Sequence, residues 1–581
     1  MSERPTTDGT PTLRSGRWFE GDDEVALENR AALRRLDLVV HPGQPVIGIS
    51  NTVSDLNPCN SSMSGQIAAA REAVVDAGGV PVVFPTISLG EDLMKPTAML
   101  YRNLLAIEIE EMVRSYPLDA LVLTGNCDKT IPGALMGAVS ANIPTVMMIG
   151  GSRPSPLYRG RRLAAGTDLW KAYDEHRSGR MSDEEWATFE TCYSCGLGAC
   201  NVMGTATTMA IVAEALGFAV SRSATIPAGD PRALEAAAAA GRTAVHRALD
   251  PIRPRELVTG ASLTNALKLV AASGGSTNAL LHLSALAGRV GIRLSYETMR
   301  EALRGVRVLA DIQPTGSGLA EDFDSAGGVP ALMRSVAGIL DTSVPNIEGG
   351  TIASVLIGAK ASARVIRALD DAVSDVQGIS LVRGTLAPDG AVIKTSAASP
   401  RLLVHRGPAV VFKDYDDMRA RIDDPELVVS EQSVLVLQNG GPIGGPGMPE
   451  WGMVPIPAKL SAQGVTDMVR VSDARMSGTS FGTVILHVAP ESAVGGPLAL
   501  VRDGDTIVVD VPAGRLDLEV EPSTLESRRS EQHAVSSPWI RGWVALYQAH
   551  VTQAPEGCDF DFLQAFIPGS ENFIESTVGR S

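Results

Sequence analysis

The chain has 581 residues, of which 44% are hydrophobic and 20% are charged, and its formal net charge is −16. This composition excludes a disordered or fibrous chain, and the length predicts two domains because a single hydrophobic core seldom grows so large. The negative charge argues against nucleic acid and anionic membranes as partners, since both would be repelled, so an anionic substrate has to meet a local positive centre.

The first residues, MSERPTTDGTPTLRSGRW, are polar and lack the apolar core of a signal peptide. No run of about 18 apolar residues occurs, so no membrane-spanning helix is expected. The sequence therefore predicts a cytoplasmic protein. Its six cysteines are too few for a disulfide scaffold, and a reducing compartment would keep them as thiols or metal ligands.

The first 150 residues alternate between β-rich apolar runs and helical patterns. Strands connected by helices of this length predict right-handed crossovers and a doubly wound parallel sheet, within an α/β domain that we place at 1–375. The expected strands are Val46–Ser50, Val80–Pro85, Ala120–Thr124 and Thr145–Gly150, and the expected helices are Met63–Ala77 and about Thr97–Ser115.

Five chemically capable side chains lie in the loops that follow these strands. In open α/β sheets the ligand crevice lies beyond the carboxyl ends of the strands, so we expect these five residues to share one edge of the sheet. They are Cys59, Glu91, Cys127, Asp128 and Lys129.

The later part of the chain changes in character. The segment from about 205 to 375 is rich in Ala and Leu and mostly helical in pattern, whereas strand-like runs with short turns follow it. This spacing predicts a second, β-rich and barrel-like domain over 376–562, with a C-terminal tail over 563–581. The expected strands are Ile379–Arg383, Ala409–Phe412, Val434–Leu437, Asp467–Val471, Thr483–Val488, Thr506–Val511 and Leu516–Val520.

Three cysteines, Cys59, Cys127 and Cys200, lie in turn-rich loops beside Gly, Asn and Pro, whereas a structural cysteine usually lies in an apolar run. Three thiolates on an iron–sulfur cluster leave one iron short of a ligand, and that open position suits a catalytic Lewis acid. A second set, Cys192, Cys195 and Cys200, has the tighter spacing C-x2-C-x4-C. The residues alone do not favour one of these two sets over the other as metal ligands.

Carboxylates near Cys127 could bind Mg2+, which typically takes one or two protein carboxylates and completes its shell with water and substrate. Asp128 and Lys129 follow Cys127 directly, and Glu91 lies one strand earlier. The alternative is a surface ion pair between Lys129 and one of these acids.

A dense Gly/Pro loop, GGPIGGPGMPEWGMVPIP, contains a single acid, Glu450. Further on, VSDARMSGTSFGT places Ser477 and Thr479 among small residues, where a hydroxyl can approach a ligand closely and, beside a cation, act as a base. The alternative is an ordinary turn serine. His282 and His487 lie in apolar runs, and we interpret them as core histidines.

Seven motifs, in order, resemble the dihydroxyacid dehydratase and 6-phosphogluconate dehydratase family over nearly the whole chain. The SLGE…KPTAMLYRN stretch and the MPEWGM and ARMSGT forms are most similar to the sugar-acid branch, the L-arabinonate and D-xylonate dehydratases. The motifs are NTVSDLNPCN, SLGEDLMKPTAMLYRNL, GNCDKTIPGALMGA, CNVMGTATTM, GGSTNALLHL, MPEWGM and SDARMSGTSFGTVILHV.

The resemblance implies two cofactors. One is an iron–sulfur cluster on Cys59, Cys127 and Cys200, of the 2Fe-2S rather than the 4Fe-4S type, which favours the long-range set of cysteines. The other is Mg2+, with Lys129 carbamylated so that it offers an anionic oxygen instead of a repelling ammonium. The implied Mg2+ ligands are Glu91, Asp128, Lys129 and Glu450.

The implied reaction removes water from a sugar (aldonic) acid to give a 2-keto-3-deoxy acid, through abstraction of the C2 proton and loss of the 3-hydroxyl. Ser477 is the implied base, with Thr479 beside it. Ser61 and Ser62 stand near the position where the family commonly has a His, which puts substrate recognition near the cluster in question. Relatives form dimers or tetramers, so a homodimer or homotetramer is expected.

Two alternatives remain at this stage. A branched-chain dihydroxyacid dehydratase would share the chemistry and differ in substrate. A non-catalytic iron–sulfur sensor or binding protein would keep the cysteines but would not need Glu91, Glu450 and Ser477 together.

Overall fold

A computed structural model describes residues 13–531, 538–565 and 576–580. Two sheets dominate this part of the chain, one in each half of the sequence. The polar N-terminal segment and the expected tail at 563–581 lie only partly within the described residues.

The first half of the chain contains a parallel sheet and a short hairpin. Its strands are β1 (Val46–Asn51), β2 (Val80–Pro85), β3 (Ala120–Gly125), β4 (Thr145–Ile149), β5 (Leu157–Tyr158) and β6 (Arg161–Arg162). The sheet has the order β2-β1-β3-β4 and all its pairings are parallel, which confirms the predicted α/β architecture. Strands β3 and β4 are buried throughout, as is usual for a parallel sheet between helices.

Helices surround this sheet and continue after it. They are α1 (Gly16–Phe19), α2 (Glu24–Arg34), α3 (Pro58–Ser61), α4 (Ser64–Asp76), α5 (Arg102–Ser115), α6 (Thr130–Ala141), α7 (Thr167–Arg177), α8 (Asp183–Tyr193), α9 (Thr205–Ala215), α10 (Arg232–Leu249), α11 (Pro254–Leu257), α12 (Gly260–Ala272), α13 (Asn278–Arg289), α14 (Tyr296–Leu303), α15 (Ala320–Ser325), α16 (Gly328–Ser335) and α17 (Ile352–Val355). Short 3-10 turns occupy Ala98–Tyr101 and Ala337–Ile339. The helical region predicted to reach 375 therefore ends twenty residues earlier, at Val355.

In the second half of the chain, the described residues form eight strands and four helices. The strands are β7 (Ser380–Val382), β8 (Gly390–Ile393), β9 (Val404–Phe412), β10 (Val434–Leu437), β11 (Arg470–Ser472), β12 (Val484–Ala489), β13 (Thr506–Asp510) and β14 (Arg515–Glu519). The helices are α18 (Tyr415–Arg421), α19 (Ala458–Ala462), α20 (Pro522–Ser530) and α21 (Gly542–His550), and 3-10 turns occupy Thr395–Ala397, Pro400–Leu402, Ser492–Val494, Pro497–Leu500, Ala554–Glu556 and Asp561–Leu563.

These eight strands form a nearly closed sheet with the order β14-β13-β9-β10-β11-β12-β8-β7. Its two ends meet just beyond β7, where the Arg383 N–H donates to the Gly514 carbonyl at 2.9 Å and the Leu516 N–H donates to the Arg383 carbonyl at 3.1 Å. The predicted barrel-like, β-rich architecture is confirmed.

Two predicted strands begin three or more residues away from the observed ones. Strand β9 begins five residues before the expected Ala409 because its first half pairs with β13 and only its second half pairs with β10. Strand β11 begins three residues after the expected Asp467, because the Asp467 carboxylate accepts the Thr483 N–H and hydroxyl and so holds a loop instead of a strand.

The Gly/Pro loop after β10 is held by a buried carboxylate. The Glu491 oxygens accept the N–H groups of Ile443 at 3.0 Å and Gly444 at 2.9 Å, and Gln553 donates its amide to the same carboxylate at 2.8 Å. This loop therefore has a fixed conformation although it is rich in glycine. None of the helices in the described ranges is long and apolar enough to cross a bilayer.

A glycine at the contact between α4 and α10 gives the first testable prediction. A Cβ at Gly241 would lie 2.5 Å from the Ala70 carbonyl, whereas a Cβ at Gly65 would lie 3.5 Å from the nearest Leu234 methyl. Gly241→Ala should therefore lower stability by about 1–3 kcal/mol, because it forces the two helices apart. The matched control Gly65→Ala should be neutral or gain up to about 1 kcal/mol from helix propensity. Melting temperatures measure both, and equal values would contradict the packing argument.

The second prediction concerns Lys394, which follows β8 and is 1% exposed. No described group bonds its Nζ, and burial lowers its pKa from 10.5 to about 7. Below pH 7 the ammonium is charged in the folded and the unfolded chain, so the full cost of burying it applies. As the pH rises from about 7 to 10.5, only the unfolded chain stays protonated, so this cost disappears.

Lys394→Met should therefore raise the melting temperature below pH 7, with a gain that shrinks as the pH rises toward 10.5. Lys360→Met changes an exposed lysine and should show no such pH dependence. A constant difference between wild type and Lys394→Met across pH 6 to 10 would show that the amine is not a buried charge.

Candidate active site

The loops that carry three cysteines are linked through the Asn126 side chain and the Gly151 carbonyl, which also accepts the Ala199 N–H at 3.0 Å. Cys59 lies in α3, Cys127 follows β3, and Cys200 lies before α9. The Asn126 amide donates to the Cys59 carbonyl at 2.8 Å and to the Gly151 carbonyl at 2.7 Å. Residues separated by about seventy positions in sequence are thus brought to one edge of the parallel sheet.

The three thiols are close enough to act on each other. Interaction with the Cys127 thiol and burial raise the pKa of Cys59 well above its ordinary value, and Cys200 contributes to the rise. Burial raises the pKa of Cys200 to about 12, and Cys127 is among the neighbours that add to it. Without a cation the Cys59 and Cys200 thiols keep their protons, which a bound metal would have to displace.

The rival set of cysteines is not gathered in the same way. Cys192 and Cys195 are not among the groups that act most strongly on Cys200, whereas Cys127 is. The Cys195 sulfur lies 3.7 Å from the Pro154 carbonyl instead. Both cysteines are partly exposed and unbridged.

A buried lysine lies among three carboxylates. The Lys129 Nζ is 3.2 Å from Glu91 Oε2 and 3.5 Å from Glu450 Oε1, and it also contacts Asp128 Oδ2. The Lys129 side chain has no exposed surface, so the alternative of a surface ion pair is wrong. Glu450 comes from the Gly/Pro loop of the second half of the chain, so the group joins the two halves.

The charges in this group shift one another. Burial alone would raise the pKa of Glu91, but Lys129 and Arg475 outweigh it and hold the pKa below its ordinary value. Burial raises the pKa of Asp128 to about 6, with Lys129 opposing the rise. Burial disfavours the Lys129 ammonium, yet the carboxylates around it, Asp128 first, raise its pKa.

Arg475 is a member of this group that the sequence analysis did not single out. Its Nη1 donates to Glu450 Oε1 at 2.8 Å, its Nη2 to Thr97 Oγ1 at 3.0 Å and its Nε to the Met448 carbonyl at 2.7 Å. Thr97 in turn donates to Glu91 at 2.6 Å. The only signal in the sequence was a charged residue among the small residues of SDARMSGTS, which also fits an exposed arginine.

Ser477 and Thr479 lie where a loop of the barrel meets the first half of the chain. Their hydroxyl oxygens are 2.9 Å apart. The Thr167 hydroxyl donates to the Thr479 carbonyl at 2.8 Å, and the Trp170 indole N–H lies 3.4 Å from Thr479 Oγ1. Two contacts from α7 thus hold Thr479, whose hydroxyl lies beside that of Ser477.

Other residues considered in the sequence have local roles in the structure. The Ser61 hydroxyl donates to the Ser54 carbonyl at 2.6 Å, and the Ser62 hydroxyl to the Cys59 carbonyl at 3.3 Å. His282 and His487 are buried, as expected for core histidines. Burial lowers the pKa of both, that of His487 to about 3, so neither carries a charge near neutral pH.

The donors in this region fit two kinds of cation. Sulfur ligands suit iron, and carboxylate oxygens suit Mg2+. Among the described residues, no three Cys, His, Asp or Glu side chains are already spaced as ligands of one ion. In the carboxylate group the reason is steric and electrostatic, because the Lys129 ammonium lies among the oxygens and takes the place of a cation.

Comparison with known proteins adds the family. The model of the dihydroxy-acid/6-phosphogluconate dehydratase N-terminal region matches residues 44–355, and the C-terminal model matches 364–558. The 6-deoxy-6-sulfo-D-gluconate dehydratase of Pseudomonas putida is 45% identical, over 95% of this chain and 96% of its own length.

Two further relatives are the L-arabinonate dehydratase of Rhizobium leguminosarum bv. trifolii, 42% identical over 95% of this chain and 96% of its own length, and the D-xylonate dehydratase of Caulobacter vibrioides, 34% identical over 95% of each. The chain thus belongs to the dihydroxy-acid/6-phosphogluconate dehydratase family, and it is a dehydratase.

Proposed function

We propose that this dehydratase converts a sugar (aldonic) acid into its 2-keto-3-deoxy acid, by taking the C2 proton and releasing the 3-hydroxyl as water. The observation that carries the proposal is the position of Asp128 between two groups of opposite chemistry. Its Oδ1 lies 3.4 Å from the Cys127 sulfur, while its Oδ2 contacts the Lys129 ammonium. A sulfur group and a carboxylate group that adjoin each other can serve two neighbouring atoms of one small substrate.

Each group would hold one cofactor. Cys59, Cys127 and Cys200 would hold an iron–sulfur cluster, 2Fe-2S rather than 4Fe-4S by resemblance, and three thiolates leave an iron position for substrate. Glu91, Asp128, Glu450 and a carbamylated Lys129 would hold Mg2+. Bound together, these cofactors supply electrophilic help to the substrate carboxylate and to the departing hydroxyl.

Ser477 is the residue that would take the C2 proton. A proton next to a carboxylate is weakly acidic, and a serine hydroxyl is a weak base, so both need support from their surroundings. The Thr479 hydroxyl, 2.9 Å from Ser477 Oγ, can donate to the serine oxygen when that oxygen has lost its own proton. The Trp170 N–H near Thr479 Oγ1 supports this direction of donation.

The relatives favour sugar acids as the substrate class. Proteins named for L-arabinonate and 6-deoxy-6-sulfo-D-gluconate share 42–45% of residues with this chain over nearly its full length. A cytoplasmic location and a homodimeric or homotetrameric state remain predictions from the sequence and its resemblance.

The proposal is tested by an anaerobic keto-acid assay over L-arabinonate, D-xylonate, D-gluconate, 6-deoxy-6-sulfo-D-gluconate and 2,3-dihydroxyisovalerate. We expect turnover of at least one sugar acid and faster turnover of it than of the branched-chain acid. Ser477→Ala should lower kcat by about 100- to 10,000-fold, because the general base is lost, while the visible absorbance of the cluster stays.

Ser480→Ala is the matched control, because its hydroxyl has no hydrogen-bond partner among the described residues and it lies in the same loop. If Ser480→Ala lost activity and Ser477→Ala kept it, Ser477 would not be the base and this part of the proposal would be wrong. Turnover of 2,3-dihydroxyisovalerate alone would overturn the substrate class.

The choice between the two cysteine sets gives a separate prediction. Cys127→Ser should lose the visible absorbance and most of the iron, because serine removes one of three thiolate ligands. Cys195→Ser should keep both, because Cys195 belongs only to the local C-x2-C-x4-C set. Absorbance spectra and iron analysis of the two purified variants decide, and loss of iron in Cys195→Ser would favour the local set.

A further inference from the structure

The GGSTNALLHL motif has no role in the function proposed above, yet it places one amide against the site. Asn278 is the first residue of α13 and has no exposed surface. Its Nδ2 donates to Glu450 Oε1 at 2.8 Å and to the Met476 carbonyl at 3.2 Å. Asn278 therefore touches both a carboxylate of the Lys129 group and the residue just before Ser477.

The chemistry of these partners fixes the orientation of the amide. Glu450 Oε1 already accepts from Arg475 and Lys129, and the Met476 carbonyl has no hydrogen to donate, so the NH2 end of the amide has to face both oxygens. The Thr205 hydroxyl lies 3.1 Å from the same nitrogen and donates to Ser276 Oγ at 2.8 Å. The Asn278 Oδ1 consequently faces the other way, where no donor from the described chain reaches it.

The same contacts divide the roles of the two Glu450 oxygens. Oε1 receives the Asn278 amide, the Arg475 guanidinium at 2.8 Å and the Lys129 ammonium at 3.5 Å. None of the hydrogen bonds or ion pairs of the described residues uses Oε2, and the side chain is 15% exposed. One oxygen is held by the protein, and the other is left for a ligand.

We propose that Asn278 is a positioning residue that fixes Glu450 so that it offers a single oxygen to the divalent cation, and that ties this carboxylate to the loop of Ser477. The inference rests on the proposed function, because it takes Glu450 as a Mg2+ ligand. Groups that orient a metal ligand typically contribute a factor of about 10–100 in metal affinity or activity.

Three variants test the inference. Asn278→Asp keeps an acceptor of the same shape but replaces the donor to Glu450 with a repelling oxygen. Asn278→Ala removes both ends of the amide. Asn265→Asp is the matched control in the neighbouring helix α12. Asn265 is also buried, and within the described chain its amide bonds only the Asp341 backbone, at 2.7 and 2.9 Å.

The readout is Mn2+ binding to the cluster-containing protein without substrate. Binding is measured as the loss of the EPR signal of free Mn2+. We expect Asn278→Asp and Asn278→Ala to bind Mn2+ about 10- to 100-fold more weakly than wild type. With substrate, they should need more Mg2+ for half-maximal turnover while the substrate KM changes little. Asn265→Asp should lower the melting temperature and leave Mn2+ binding unchanged.

The outcomes separate the two levels of the argument. Wild-type protein that binds no Mn2+ would overturn the Mg2+ assignment in the proposed function. Wild-type binding that Asn278→Asp and Asn278→Ala both retain would overturn the positioning role alone. Weak binding in Asn278→Ala with normal binding in Asn278→Asp would show that the Oδ1 acceptor matters and the contact with Glu450 does not, which also overturns it.

Discussion

The buried ammonium of Lys129 is the contact on which the candidate site depends. A charge without access to water costs several kcal/mol unless it is paired and hydrogen bonded, so the carboxylates around it have to stay close. Glu91 and Asp128 follow strands of the parallel sheet, whereas Glu450 and Arg475 come from loops of the barrel. Pairing these groups therefore holds the two halves of the chain in one relative position.

The charges of this group bear on the divalent cation proposed above. Three carboxylates face two cations, Lys129 and Arg475, and the pKa of about 6 at Asp128 reflects burial together with the repulsion between the acids. With Lys129 as a carbamate, as proposed, one of the two cations becomes an anion and the group needs positive charge from outside. Arg475 stays in place, because it also donates to Thr97 Oγ1 and to the Met448 carbonyl.

The sulfur donors and the oxygen donors form two separate sets that lie next to each other. Cys127 and Asp128 are adjacent in the chain, so a single peptide bond separates a thiol of the first set from a carboxylate of the second. Thiolates are soft donors that suit iron–sulfur clusters, and carboxylates are hard donors that suit Mg2+. Two such sets side by side can therefore bind two different metals. Asn278 extends the same arrangement to Ser477, because one amide contacts both Glu450 and the carbonyl that precedes the serine.

The sequence by itself determined the two architectures and their order. Strands that are buried on both faces, such as β3 and β4, must be continuous apolar runs, and helices between such strands require parallel pairing. It also placed Cys59, Glu91, Cys127 and Asp128 at one edge, since they follow strands. It could not find Arg475 or Asn278 as site residues, because each is defined by contacts that only the fold creates: Arg475 bonds Thr97, 378 positions away, and Asn278 bonds Glu450, 172 positions away. The residues alone did not favour either of the two cysteine sets as cluster ligands, and only the resemblance to the dehydratase family did. Only the tertiary structure brought the loops of Cys59, Cys127 and Cys200 to one edge of the sheet and buried Lys129, because proximity across loops and loss of water depend on how the elements pack.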